Sequence, residues 1–234
     1  MARTRSGQDL INDAYRRSDN ESATDRHPRT DVLRYVNQGC AELYDLLVEA
    51  RGPSFFRSSS PWSFSTTAST TLYTSSFPAA FYRLISIRVS DGQVSEPLFQ
   101  FTPTEEPELR TVGVSAYFPS HYELRPNGVC LLPEHSAGKT VTVEYVPSFT
   151  DLTDSSSSYF DGINGWEEYA VCFAARCMAT KDEEWELQRS LDADMARLKE
   201  RIKKLAPKRD AYQPRRVSDV RGPRLRGSWR LYGR

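Results

Sequence analysis

Four cysteines (Cys40, Cys130, Cys172, Cys177) and three histidines (His27, His121, His135) are the side chains here best suited to chemistry. A thiolate can attack a carbonyl or bind a soft metal, and an imidazole can move a proton or ligate zinc. Their spacing favours neither. No cysteines form a CxxC pair, the histidines stand far apart, and Cys172 and Cys177 are five residues apart, so on a helix they diverge instead of forming a chelating edge. The four read as free, partly buried thiols; a disulfide or a metal are the rival readings. No metal and no cofactor are expected.

The remaining catalytic patterns are equally thin. The many serines lack a GxSxG elbow, and no GxxxxGK[ST] or strand-linked GxGxxG loop is present to cradle phosphate. Acids are paired at Glu105-Glu106, Glu167-Glu168 and Glu183-Glu184. Neighbours on a helix diverge by about 100 degrees, so these are not dyads. Helix ends and solvation explain them, with Glu168 helping to start a third helix and Glu183 and Glu184 in the first turn of a fourth. His121 and His135 read as ordinary loop residues flanking a hairpin. The expectation is a protein that is not an enzyme.

Charge is more informative. The 234 residues balance 31 basic against 31 acidic side chains, yet Lys208–Arg234 holds nine basic residues and only Asp210 and Asp219 in opposition. That tail carries +7 and the rest of the chain −7, a segregation that points to a partner. With Pro207, Pro214 and Pro223 and few aliphatic residues, the tail cannot build a core. Its Arg209, Tyr212, Arg215, Arg216, Arg221, Arg224, Arg226, Trp229, Arg230, Leu231 and Tyr232 are of the types that anchor interfaces. An arm that orders on docking to another protein is the first reading. An arginine-rich nucleic-acid-binding arm is the second, and a solvated terminus the third.

Helices must carry this arm. Residues 6–17 form a short one, with Ser6 as cap, Asp9 at its positive end and Leu10, Ile11, Ala14 and Tyr15 on one face. A helix over 30–50 repeats Leu33, Val36, Cys40, Leu43 and Leu47 at three- and four-residue steps, with Thr30 or Asp31 as its cap and Gly52-Pro53 as its stop. Gly39 inside it is either tolerated or marks a close neighbour. A third helix spans 164–180 with Trp166, Tyr169, Ala170, Phe173, Ala174 and Cys177 inward. A fourth, 183–205, turns Leu187, Leu191, Met195, Leu198, Ile202 and Leu205 inward and stops at Pro207. The core positions singled out are Leu33, Val36, Leu43, Leu47, Trp166, Phe173, Leu191, Leu198 and Ile202.

Between the helical pairs the period shortens to two. Trp62, Phe64 and Thr66 alternate with polar residues, and 70–74 supplies a hairpin partner. Further strands are expected at 84–89 before an Asp91-Gly92 turn, at 98–101, at 122–125 and 129–132 around Pro126-Asn127-Gly128, and at 140–145. The fold class is therefore α+β: a four-helix bundle with an inserted antiparallel β domain and an extended C-terminal arm. The units are 1–55, 56–149, 150–206 and 207–234. No stretch approaches the roughly 20 apolar residues of a membrane span and no signal-like run follows Met1, so a soluble, cytoplasm-assembled protein without membrane contact is expected.

Several segments appear in an order that resembles the head-to-tail adaptor (head completion, portal-binding) family of tailed bacteriophages. They are LRYVNQGCAELYDLL at 33–47, the block from Trp62, PAAFYRLISIRV at 78–89, YFPSHYELRPNGVCLLP at 117–133, VTVEYVPSFTDLTD at 141–154 and GWEEYAVCFAARCMATKDEE at 165–184. The resemblance implies a structural virion protein in the neck between capsid and tail, assembled in the host cytoplasm as a homo-dodecameric ring on the portal. The helices would form the ring wall, the β region would face a downstream tail or nozzle protein, and the 207–234 arm would embed in the portal protein. DNA would pass through the lumen during packaging and ejection without sequence-specific binding. An acidic body facing that lumen would keep DNA from sticking.

Overall fold

The computed structural model describes residues 5–20, 25–111, 118–163 and 165–206. Ser6 opens the first helix, α1 (Gly7–Arg17), through a reciprocal cap. Its hydroxyl accepts the Asp9 amide at 3.1 Å, and the Asp9 carboxylate accepts the Ser6 amide at 3.2 Å, satisfying two otherwise orphaned N–H groups. The long helix α2 (Arg29–Arg51) has neither Thr30 nor Asp31 as its cap. It starts directly after Pro28, whose φ of −58° suits a helix entrance, and no side chain caps it. Thr30 and Asp31 lie inside the first turn, where Asp31 meets the positive end of the dipole. At the other end Gly52 takes φ +85°, and a 3-10 turn over Pro53–Phe56 leads away.

The remaining bundle helices are α4 (Glu168–Lys181) and α5 (Trp185–Leu205). Each starts a few residues later than its sequence suggests. Trp166 and Glu167 lie in the turn before α4, and Glu183, at φ +63°, and Glu184 form the link into α5. Glu186 is therefore the acid of α5's first turn. α4 is the central helix: Tyr169, Ala170, Val171, Cys172, Ala174, Ala175 and Met178 are all buried, leaving it little outer face. Gly39 marks a close crossing, since a Cβ there would sit 2.9 Å from the Ala170 Cα and 3.0 Å from the Phe173 Cβ.

One core gathers the four helices. Val36, Leu43, Leu47, Trp166, Leu191 and Ile202 are buried in it; Leu33, Phe173 and Leu198 are half-buried against it. Val32 takes the fully buried place beside Leu33. Leu205, assigned to the inner stripe, is 46% exposed, and Ala206 is buried instead. The connector before α4 is not structureless. β10 (Tyr159–Phe160) pairs with β1 (Arg5–Ser6), and the Asn37 amide clasps both backbone groups of Leu152, at 2.9 and 3.1 Å.

The β region folds as two four-stranded sheets. The first orders β2 (Trp62–Ser65), β9 (Thr140–Pro147), β4 (Phe81–Ser90) and β5 (Ser95–Pro97). The second orders β3 (Leu72–Tyr73), β8 (Gly128–Leu132), β7 (His121–Arg125) and β6 (Phe99–Gln100). Two pairings depart from expectation. β3 is not the hairpin partner of β2: it crosses to the second sheet, pairing Leu72 with Cys130. β6 runs parallel to β7, so the region is not wholly antiparallel. Crossing places Tyr73 between the sheets, where its ring stacks 4.7 Å from Phe64 in a core shared with Trp62, Ile87, Val89, Val129, Leu131, Val141 and Val143. The short helix α3 (Glu106–Thr111) covers the other face of the second sheet, with Leu109 packed on Phe101, Cys130 and Leu132.

Candidate interaction surfaces

The thiols are free, and Cys40, Cys130 and Cys172 are buried. Burial pushes every one of them above the ordinary thiol range, Cys172 to about 11 and Cys40 further still, which disfavours the reactive thiolate. Cys177 is only half-buried, yet it shifts in the same direction.

Two histidines hold structure together. His27 is fully buried, with its Nε2 2.7 Å from Asp182 Oδ2. Asn20 donates to the same oxygen at 3.0 Å, Arg26 pairs with the other, and the Tyr15 hydroxyl donates to the His27 carbonyl. The cluster fastens the link after α1 to the turn between α4 and α5. Burial alone would raise the Asp182 carboxyl, but bonds from His27 and Asn20 and the nearby cations outweigh it, so it titrates below the usual range. His135 is not an ordinary loop residue. It is buried, its Nε2 is 3.0 Å from the Tyr73 hydroxyl, and burial pushes its pKa down, favouring the neutral ring. Neither role had a local signal, because the partners lie 155 and 62 residues away. His121, half-buried on β7, has its Nδ1 2.8 Å from the Ser120 hydroxyl.

The paired acids diverge. Glu167 turns inward, accepts the Gly162 amide at 3.1 Å and is raised by burial, whereas Glu168 faces Arg17 at 3.4 Å. Glu105 accepts the Thr102 amide at 2.7 Å while Glu106 meets Arg110 at 2.7 Å. Among the described residues no group of three or more His, Cys, Asp or Glu side chains could hold a metal, and no helix is long and apolar enough to cross a membrane.

Among the described residues the surface offers exposed apolar side chains, and three of the places where they stand are these. Trp185 stands 60% exposed at the α4–α5 turn, beside Glu183, Glu184 and Glu186. Phe99 and Leu124 are exposed on the second sheet. The third place lies where α2 meets the first sheet. Tyr44 donates to the Pro147 carbonyl at 2.8 Å, and its ring lies 5.3 Å from Phe56, 6.1 Å from Tyr82 and 6.3 Å from Phe149. Phe55 and Tyr82 extend this cluster outward, 57% and 44% exposed, with the Arg51 guanidinium 4.0 Å above the Phe55 ring. The residues expected to form a docking arm, Arg209, Tyr212, Arg215, Arg216, Arg221, Arg224, Arg226, Trp229, Arg230, Leu231 and Tyr232, all lie outside the described residues.

A four-helix bundle and a two-sheet region, each with its own core, thus meet at an aromatic seam. The family model for the SU10 adaptor protein matches residues 5–221. The chain belongs to the SU10 adaptor protein family. The match takes in all four bundle helices, both sheets and the start of the cationic tail. This SU10 adaptor family member is accordingly a phage adaptor-type structural protein, a component of the virion. A comparison with curated proteins returned no match.

Proposed function

We propose that this adaptor assembles as a dodecameric ring connecting the portal vertex to the tail, with an axial channel through which DNA passes during ejection. Family membership over residues 5–221 carries this reading. In it the helical segments 1–55 and 150–206 form the wall, the 56–149 region faces the downstream tail or nozzle protein, and the 207–234 arm docks on the portal protein. Two separate hydrophobic cores, one in the helices and one between the sheets, support that division of labour. The end of α5 suits the start of a docking arm: Arg201, Lys203, Lys204 and Leu205 are all exposed, and the net +7 tail follows. A subunit in a ring multiplies a modest contact by its neighbours, and an arm raises the effective concentration at the partner surface.

Truncation at Pro207 tests the arm. The shortened protein should keep the helical circular dichroism of the full chain and lose co-sedimentation with portal particles. Undiminished portal binding would defeat the arm's role, and micrographs without closed rings on the portal would defeat the ring. The cationic tail also fits a nucleic-acid-binding protein; salt-dependent binding of short duplexes by the isolated monomer would favour that reading.

A further inference from the structure

The exposed aromatic seam has an acidic border. Glu42, Asp45 and Glu49 follow one another along the outer face of α2, all exposed, over the same turns that carry Tyr44. Asp45 accepts a hydrogen bond from Tyr82. Glu49 makes no hydrogen bond or ion pair within the described residues. Carboxylates beside exposed aromatic rings form a site for arginine, whose planar guanidinium stacks on a ring while bonding to an acid. Arg51 already holds one face of Phe55, which leaves its other face and Tyr82.

The course of α5 places such a segment nearby. Gly39 and Glu42 of α2 meet Ala170 and Tyr169 of α4, and Arg176 of α4 meets Asp192 of α5 at 2.6 Å. α2 and α5 therefore both run against α4, parallel to one another, in register where Lys199 lies 3.8 Å from Glu42. From there to Leu205 is about 9 Å of helix, and from Glu42 to Glu49 about 10 Å, at 1.5 Å per residue. The chain leaves the bundle level with Glu49 and the aromatic seam. Its next residues include Lys208, Arg209, Tyr212, Arg215 and Arg216.

The geometry points to residues 208–216 of one copy docking on the Asp45–Glu49–Tyr82–Phe55 surface of the next copy in the ring. This rests on the ring reading above and adds the contact that links neighbours. In a head-to-tail ring whose bundles stand along the axis, the two halves of each contact must lie at the same height, as the arm's exit and this surface do. The charges match: a tail of net +7 meets a body of net −7. The remaining arm residues, through Trp229 and Tyr232, stay available for the portal.

Two full-length variants test it: D45R/E49R reverses the surface, and R215E/R216E reverses the arm. Asp45 and Glu49 are exposed and the bond lost is the surface one from Tyr82 to Asp45, so circular dichroism melts should stay within a few degrees of the unaltered chain. Alone, each variant should associate roughly tenfold or more weakly by mass photometry, because like charges face each other. Mixed in equal amounts, the two carry complementary pairs in both directions and should form rings of alternating subunits. Variants that assemble alone like the unaltered chain, or a mixture that stays apart, would overturn the inference. An unaltered chain that forms no ring even with portal particles would sink the ring reading, and this contact with it. Rings that form regardless of the reversals would sink this contact only.

Discussion

In the helical bundle, ionisable groups reach the interior: His27 against Asp182, and Glu167 under the Gly162 amide. Between the two sheets the interior is closed mainly by aromatic rings, with Trp62, Phe64, Phe77, Phe81 and Tyr145 in a chain of contacts 4.6 to 5.4 Å apart and the buried His135 set against the Tyr73 hydroxyl at its edge. The difference follows chain connectivity. The sheets arise from one continuous stretch, 62–147, whereas the bundle must join α1 and α2 to α4 and α5 across more than a hundred residues. Apolar packing tolerates small slips between helices, but a buried polar pair is satisfied in one arrangement only. The bundle therefore carries a directional fastener, His27 on Asp182, where distant segments meet, while Glu167 fixes the turn before α4. The sheets already have their backbone ladders to set register.

Truncating a core ring in each region gives the sharpest contrast. Tyr169→Ala removes a fully buried ring and its 2.7 Å bond to Glu42, and should cost about 4 kcal/mol; Trp62→Ala in the sheets should cost about 3 kcal/mol. Hydrogen exchange should rise mainly in the helices for the first and mainly in the strands for the second. A uniform rise from either would erase the distinction between the regions.

Asp182→Ala comes next, at about 3 kcal/mol near neutral pH, because it leaves His27 buried without its partner. The pH dependence follows from the depressed Asp182 carboxyl. Its stabilising contribution is complete above the unfolded value of about 4 and is lost as pH falls through the lower folded value. Urea midpoints of the unaltered chain and the variant should converge below that point. A gap that persists unchanged into strong acid would mean the fastener is not electrostatic. The smallest effect is expected from Ser6→Ala, which removes the α1 cap for about 1 kcal/mol and should lower the melting temperature by a few degrees.

Much of the helical half could be read in the sequence. The recurrence of Val36, Leu43 and Leu47, the Ser6 cap and the Gly52 stop are local signals, and local geometry decides them. Gly39 could be noticed but not interpreted, because its meaning lies in Ala170 and Phe173. Sheet partners were harder to read. Alternation shows that 70–74 is extended, but not that Leu72 pairs with Cys130 rather than with its nearest neighbour in sequence. The same limit hid the pairing of β1 with β10 and the burial of His27 and His135. The aromatic seam was visible only as scattered residues: Tyr44, Phe55 and Tyr82 become one surface when α2 lies against the first sheet.

The bond from Tyr44 to the Pro147 carbonyl bears on how such a part handles force. It grips the sheets partway along α2, two turns ahead of the pivot that Gly52 and Pro53 would otherwise provide. A torque on the strands would enter a rod of 23 residues, about 35 Å long, ahead of that pivot. The two halves would then turn together like a key and its shaft.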